Sequence, residues 1–208
     1  MAQIITFLTH LIIQFIDKSG CLGVFVLMAA ESALIPIPSE ITMPFAGYLA
    51  STGRFNLYII VVIGALANLA GSLAAFGLGW WGEEHLIRRL ISKWGKYLLI
   101  SEKEYDHAEK WFRKYGEKIV FFSRILPVIR TFISLPAGIA EMNVWRFSLL
   151  TFVGSLIWSA FLTYIGFALG KNWNSIHPYY QKFQYVIVGV VGVLILYYLV
   201  HKIRKVKK

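Results

Sequence analysis

Apolar residues run along this chain in long blocks, broken at a few places by charge and proline. Three blocks, Phe55–Gly82, Phe147–Gly170 and the shorter Phe183–Val200, contain no charged residue. Crossing a bilayer as a helix takes about 20 such residues, so these three segments are predicted to span a membrane. Trp80 and Trp81 close the first block, and Tyr179, Tyr180 and Tyr185 cluster near the start of the third. Amphipathic aromatic side chains at such ends belong at headgroup level.

Two further apolar blocks are interrupted. Residues 19–48 contain Glu31, Pro36, Pro38, Glu40 and Pro44, and residues 119–142 contain Arg124, Pro127, Arg130, Pro136 and Gly138. Each proline removes a donor and crowds the preceding turn, so neither block is expected to form one uninterrupted helix. The N-terminal segment, residues 1–18, is apolar but short and carries interspersed Gln, Thr and His. It lacks the basic start and small-residue cleavage site of a signal peptide and is predicted to be an interfacial or short tilted helix. Residues 83–118 are amphipathic and charged. Ser101 with Glu104 fits a capping box, apolar residues recur at helical spacing through Tyr115, and Gly116 suits a helix stop.

Charge then gives orientation. The 208 residues include 21 Lys and Arg against 11 Asp and Glu, a net charge of +10, yet charged residues are only 15% of the chain and 57% is hydrophobic. A soluble nucleic-acid-binding domain would have far more polar surface, so nucleic acid is not an expected partner. The basic run Lys202, Arg204, Lys205, Lys207 and Lys208 places the tail, residues 201–208, in the cytoplasm by the positive-inside rule. Residues 83–118 hold nine more basic residues beside seven acids and are assigned to the same side with Arg146. Lys18, Arg54, Lys171 and Lys182 mark the opposite face. Counting spans back from the tail, residues 119–142 must begin and end on one side. That makes them a re-entrant hairpin, tolerated at membrane depth only when protein or water covers its backbone.

An internal repeat accompanies this topology. Pro44-Phe45-Ala46-Gly47, a connector and Arg54-Phe55 precede the first long block; Pro136-Ala137-Gly138, a connector and Arg146-Phe147 open the second. The expected fold is therefore all-α: a polytopic membrane protein with an inverted repeat of re-entrant hairpin (19–48 and 119–142) plus long helix (55–82 and 147–170), and a C-terminal membrane helix (183–200). Such repeats place the site near the midplane, where the two broken segments meet.

Four charges lie within the broken segments: Glu31, Glu40, Arg124 and Arg130. A central charge costs about 2.5–3.5 kcal/mol to insert, so four unpaired ones would cost on the order of 10 kcal/mol. On continuous helices the members of each pair would diverge, by about 180° for the carboxylates and 120° for the arginines. With Pro36 and Pro38 between the carboxylates and Pro127 between the arginines, each pair can instead flank a hairpin tip and face one cavity. Two guanidinium groups suit a phosphate oxyanion, which they bind bidentately. Nearby carboxylates, caught between desolvation and a neighbouring cation, suit proton coupling. A plainer alternative leaves the arginines and Glu40 snorkelling at headgroup depth.

Glu31-x4-Pro36-x-Pro38-x-Glu40, followed by Phe122-x-Arg124-x2-Pro127-x2-Arg130-x6-Ala137-Gly138-x3-Met142, resembles the DedA family, also called the VTT or SNARE-associated Golgi protein family. The resemblance covers nearly the whole chain. It implies two facing re-entrant hairpins in the cell (inner) membrane and the translocation of lipid phosphates such as undecaprenyl phosphate, or of other phospholipids. It also implies that Glu31 and Glu40 match the functional acids and Arg124 and Arg130 the functional arginines. Val128 stands where many relatives have Gly after the proline, which implies a stiffer second tip.

Other signals carry less. Gly77-x-Gly79-x-x-Gly82 matches the dinucleotide pattern but ends an apolar helix instead of opening one after a strand. The five histidines show no ligand spacing, Cys21 is the single cysteine, and no Gly-x-Ser-x-Gly elbow occurs. No cofactor or metal is expected. The leading expectation is a lipid-phosphate transporter or flippase, not an enzyme, with an anionic lipid held by Arg124 and Arg130 and protons exchanged at Glu31 and Glu40. An intramembrane lipid-phosphate enzyme and a small cation/proton antiporter are the alternatives.

Overall fold

In the computed structural model, residues 2–35, 37–82 and 102–170 are described, all within one compact unit, Met1–Gly170. They form helices without a strand among them: α1 Ala2–Ser19, α2 Cys21–Ser32, α3 Ser39–Ser51, α4 Leu57–Gly82, α5 Glu102–Ser123, α6 Pro127–Phe132, α7 Ser134–Ile139 and α8 Val144–Leu169. The expected hinge residue Pro36, the first part of the charged region (83–101), the C-terminal helix 183–200 and the tail 201–208 lie outside the described residues.

The long helices α4 and α8, 26 residues each, are long and apolar enough to cross a membrane. Both start at an asparagine. The Asn56 side-chain oxygen accepts from the backbone N–H of Tyr58 and Ile59, and that of Asn143 from Trp145 and Arg146, filling donors that a helix start leaves open. These caps correct the expected starts. Arg54 and Phe55 lie ahead of α4, whereas Arg146 and Phe147 sit inside the first turn of α8.

The two helices run antiparallel. Gly64 lies beside Ser159, Ser72 and Thr151 share one partner, and Phe76 packs on Phe147 at 4.6 Å between ring centroids, so positions rise on α4 as they fall on α8. The outward faces are apolar, as with Leu149, Val153, Ile157, Phe161, Tyr164 and Phe167 of α8. The inward faces hold Asn68, Ser72, Thr151, Ser155, Ser159 and Thr163, all buried. Polar inside and apolar outside is the reverse of a soluble helix pair and suits a lipid surrounding.

The shorter helices pack on this pair. α2 and α7 lie on α4, while α3 and α5 lie on α8. Two crossings are reciprocal. A Cβ on Gly47 would strike the Thr163 carbonyl and one on Gly166 the Pro44 carbonyl; likewise Gly79 faces the Leu135 carbonyl and Gly138 the Phe76 carbonyl. Only glycine admits backbones at this separation.

Prolines at the breaks behave unequally. Pro38 is the extended N-cap of α3, Pro127 opens α6, and Pro136 falls within the first turn of α7, where backbone donors are free in any case. Pro44, in contrast, lies inside α3 without ending it. Gly116 does not stop α5 either, which continues to Ser123. The ring of Phe112 lies over Gly116, where a Cβ would come within 2.8 Å of it, so the glycine makes room for an aromatic contact instead of a cap. The second broken segment thus begins inside a 22-residue helix, first breaks at Arg124–Leu126 and breaks again at Ile133.

Candidate functional site

Glu31 lies in the last turn of α2, Glu40 sits in the first turn of α3, and Arg130 lies in α6. Each is on a break flank, and the three meet. One terminal nitrogen of Arg130, Nη2, donates to Glu31 Oε1 and to the Ser39 hydroxyl, and it stands 3.9 Å from Glu40 Oε1. The side chains of Arg130 and Glu31 are each 6% exposed and that of Glu40 14%. Among the described residues Nη2 is the only guanidinium nitrogen of Arg130 that donates, which leaves an edge of the group unused. The Arg130 guanidinium carbon also lies 5.7 Å from the centroid of the Trp158 ring, a cation–π contact.

Arg124 is placed differently. Its Nη1 donates to Ser72 Oγ at 2.9 Å and to the Arg130 carbonyl at 3.2 Å; its Nη2 donates to Thr151 Oγ1 at 3.0 Å and Ser134 Oγ at 3.2 Å. The Phe147 ring covers it at 5.5 Å. Among the described residues no carboxylate pairs with it. This buried cation therefore rests on hydroxyl groups from α4, α7 and α8 and on the backbone of α6. The pair of acids and pair of arginines together are formally neutral, which is the condition for burying four charges.

Arg130, Glu31 and Glu40 are thus brought into one cluster, and Arg124 joins it through the Arg130 carbonyl. Ser39, Ser72, Ser134 and Thr151 complete the cluster and were not singled out in the sequence. The available signal was the regular recurrence of Thr151, Ser155, Ser159 and Thr163 one turn apart on an otherwise apolar helix. Pro38 and Pro127 begin the helices that carry Glu40 and Arg130, and Gly138 lets α7 seat on α4. A cavity of about 350 Å³ lined by Phe112, Gly116, Glu117, Met142, Asn143 and Arg146 lies at the opening of α8 and shares no residue with the cluster.

Lipid-facing helices around a buried, charge-balanced core define a polytopic membrane protein with an internal ionic site. Residues 37–168 match the VTT domain, and the chain belongs to that family, the DedA family of membrane proteins. It is 37% identical over 183 residues to the uncharacterized membrane protein YkoX of Bacillus subtilis, covering 88% of this chain and 79% of that one. It is 34% identical over 188 residues to an alkaline phosphatase-like protein of Lactococcus lactis subsp. cremoris, with 90% and 88% covered. Undecaprenyl phosphate transporter A of Bacillus subtilis is 31% identical over 203 residues, with 97% and 94% covered. No solved structure matches the chain significantly.

Proposed function

We propose that this protein moves undecaprenyl phosphate, or a related anionic phospholipid, across the cytoplasmic membrane, with Arg124 and Arg130 supplying the positive charge that holds the phosphate. The observation that carries the reading is the Arg130–Glu31 pair, formed between the two broken segments and held away from solvent. Phosphate and Glu31 compete for the same guanidinium. As the phosphate binds Arg130, Glu31 loses its cation, takes up a proton and stays neutral beside Glu40. As the phosphate leaves, Glu31 releases the proton and pairs again. Transport is thereby coupled to protons. Arg124, buried behind Arg130, adds charge to the site and fixes the backbone that presents it. The tail of the substrate stays in lipid while only the headgroup crosses.

The same reading takes the broken segments as re-entrant hairpins and the two halves as an inverted repeat. The antiparallel long helices and the reciprocal crossings support it. The interval from Asn56 to Gly79 equals that from Asn143 to Gly166, so cap and crossing glycine recur in register, and Phe76 corresponds to Thr163. An exchange of halves brings the α3–α8 crossing onto the α7–α4 crossing. The arginine near the start of each long helix is also ion-paired to the helix before its hairpin, Arg54 to Asp17 and Arg146 to Glu117.

The test is headgroup accessibility of undecaprenyl phosphate in vesicles reconstituted with the purified protein. Wild type is expected to equilibrate the headgroup between leaflets, and Arg130→Ala to abolish this. Unchanged translocation by Arg130→Ala would sink the site assignment. The relative called alkaline phosphatase-like makes lipid-phosphate hydrolysis the competing reading, and release of inorganic phosphate from the same vesicles separates the two.

A further inference from the structure

A buried polar atom without a hydrogen-bond partner is costly at membrane depth, by several kcal/mol. Among the described residues six side-chain atoms are in this position: Glu31 Oε2, Glu40 Oε1, Asn68 Nδ2, Arg124 Nε, Trp158 Nε1 and Ser159 Oγ. All six belong to the ionic cluster or to the long helices α4 and α8. Two are acceptors flanking Arg130. The others are donors, and three of these, on Asn68, Trp158 and Ser159, are uncharged.

One of the three touches the cluster, and the other two lie beside residues next to it. Asn68, 3% exposed, lies midway along α4. Its carboxamide oxygen is engaged with the Ser32 hydroxyl, next to Glu31 on α2, so its NH2 group is the unused end. Trp158 lies against the Arg130 guanidinium. Ser159 is fully buried beside Gly64, whose added Cβ would come 3.0 Å from its Oγ, and Gly64 is one turn from Asn68 on α4. Helix adhesion does not account for them. The Asn68–Ser32 bond already joins α2 to α4 through the oxygen alone, and a buried indole N–H ordinarily finds an acceptor.

We infer that Asn68, Trp158 and Ser159 form the neutral half of the phosphate site, donating N–H and O–H groups to phosphate oxygens that Arg130 holds by charge. The inference rests on the lipid-phosphate reading above and deepens it. A phosphate monoester presents three terminal oxygens, more acceptor capacity than one guanidinium edge fills. Neutral donors meet the remainder without adding charge, so the resting site needs no further carboxylate to balance it. They also sit on the long helices, so the phosphate would bridge α4 and α8 to the hairpins that carry Glu31 and Arg130.

Titration calorimetry of the full-length, detergent-purified protein with farnesyl phosphate and with inorganic phosphate tests this. Trp158→Phe keeps a ring against Arg130 and removes the N–H, and Ser159→Ala keeps the close packing and removes the O–H. Each is expected to weaken both probes about tenfold, the effect of one hydrogen bond to a charged acceptor. The ratio between the probes, set by the tail, stays constant. Unfolding temperatures equal to wild type show that the fold is kept. Wild-type affinity in both variants overturns the inference and leaves the lipid-phosphate reading standing. Loss of farnesyl phosphate binding alone places the effect on the tail and overturns it too. If wild type binds neither probe, the lipid-phosphate reading falls and this inference with it.

Discussion

The guanidinium of Arg124 donates to the backbone carbonyl of Arg130 at 3.2 Å. One arginine thus holds the main chain that presents the other, and the two have unequal environments although both are buried. Arg130 faces two carboxylates, while Arg124 is surrounded by Ser72, Ser134 and Thr151.

Because these hydroxyls come from three helices, Arg124 ties α6 to α4, α7 and α8. A lysine has one ammonium on a flexible stem and cannot serve four acceptors in a plane. Arg124→Lys is expected to lower stability by about 2–4 kcal/mol, while Thr151→Val, which removes one acceptor of a charged donor, costs about 1.5–3 kcal/mol. Thermal unfolding in detergent measures both. A Thr151→Val protein as stable as wild type would show that the bond contributes nothing.

Glu31→Gln keeps an acceptor oxygen for Arg130 but removes the charge and the exchangeable proton. The variant is expected to fold, to bind lipid phosphate at least as tightly as wild type, and to lose any response of translocation to an imposed pH gradient. Glu31→Ala leaves Arg130 without its closest partner and is expected to cost about 3–5 kcal/mol. Vesicles prepared with and without a pH gradient give the first result, and unfolding gives the second. A Gln variant that still follows the gradient would remove Glu31 from coupling.

How far was this legible in the sequence? The long helices were, because an uncharged run of that length has few folded alternatives. Glu31, Glu40, Arg124 and Arg130 were, because charge in such runs is expensive enough to demand a reason. The partners of Arg124 were not. Ser72, Ser134 and Thr151 are remote from one another in sequence, and a small hydroxyl on a membrane helix reads as a packing residue. Helix ends were also misplaced. Gly116 and Pro44 are breakers by propensity, but a ring over Gly116 and the packing of α3 on α8 override them. The Arg-Phe motif marked the repeat out of register, because Arg54 lies two residues before the Asn56 cap whereas Arg146 lies three residues after the Asn143 cap. The asparagine caps and crossing glycines keep the register that the motif does not.

The crossing glycines predict a graded series. An alanine at Gly166 or Gly138 drives a methyl group into the carbonyl of Pro44 or Phe76, backbone that cannot turn aside. Each is expected to cost about 2–3 kcal/mol or more, the upper range for overpacking. Gly77, in the same helix as Gly79, has nothing within 4 Å of an added Cβ. Gly77→Ala is therefore expected to be neutral, or to stabilise by about 0.5–1 kcal/mol through helix propensity. Equal unfolding temperatures for Gly77→Ala and Gly166→Ala would refute close contact at the crossing.

The inverted arrangement makes a prediction about sides. If α4 and α8 cross the membrane in opposite directions, their starting ends lie on opposite faces. Thr52 precedes α4 and Trp145 lies in the first turn of α8, the latter 84% exposed. In a Cys21→Ala background, which removes the single native thiol, Thr52→Cys and Trp145→Cys supply one reporter each. A membrane-impermeant maleimide applied to intact cells is expected to label the cysteine at 52 and spare that at 145, and permeabilised cells to label both. The sign of the result matters as well as the contrast. Labelling at 145 alone would keep the inverted repeat but reverse the orientation inferred from the basic tail, whereas labelling at both positions in intact cells would place the two starts on one face and remove the repeat.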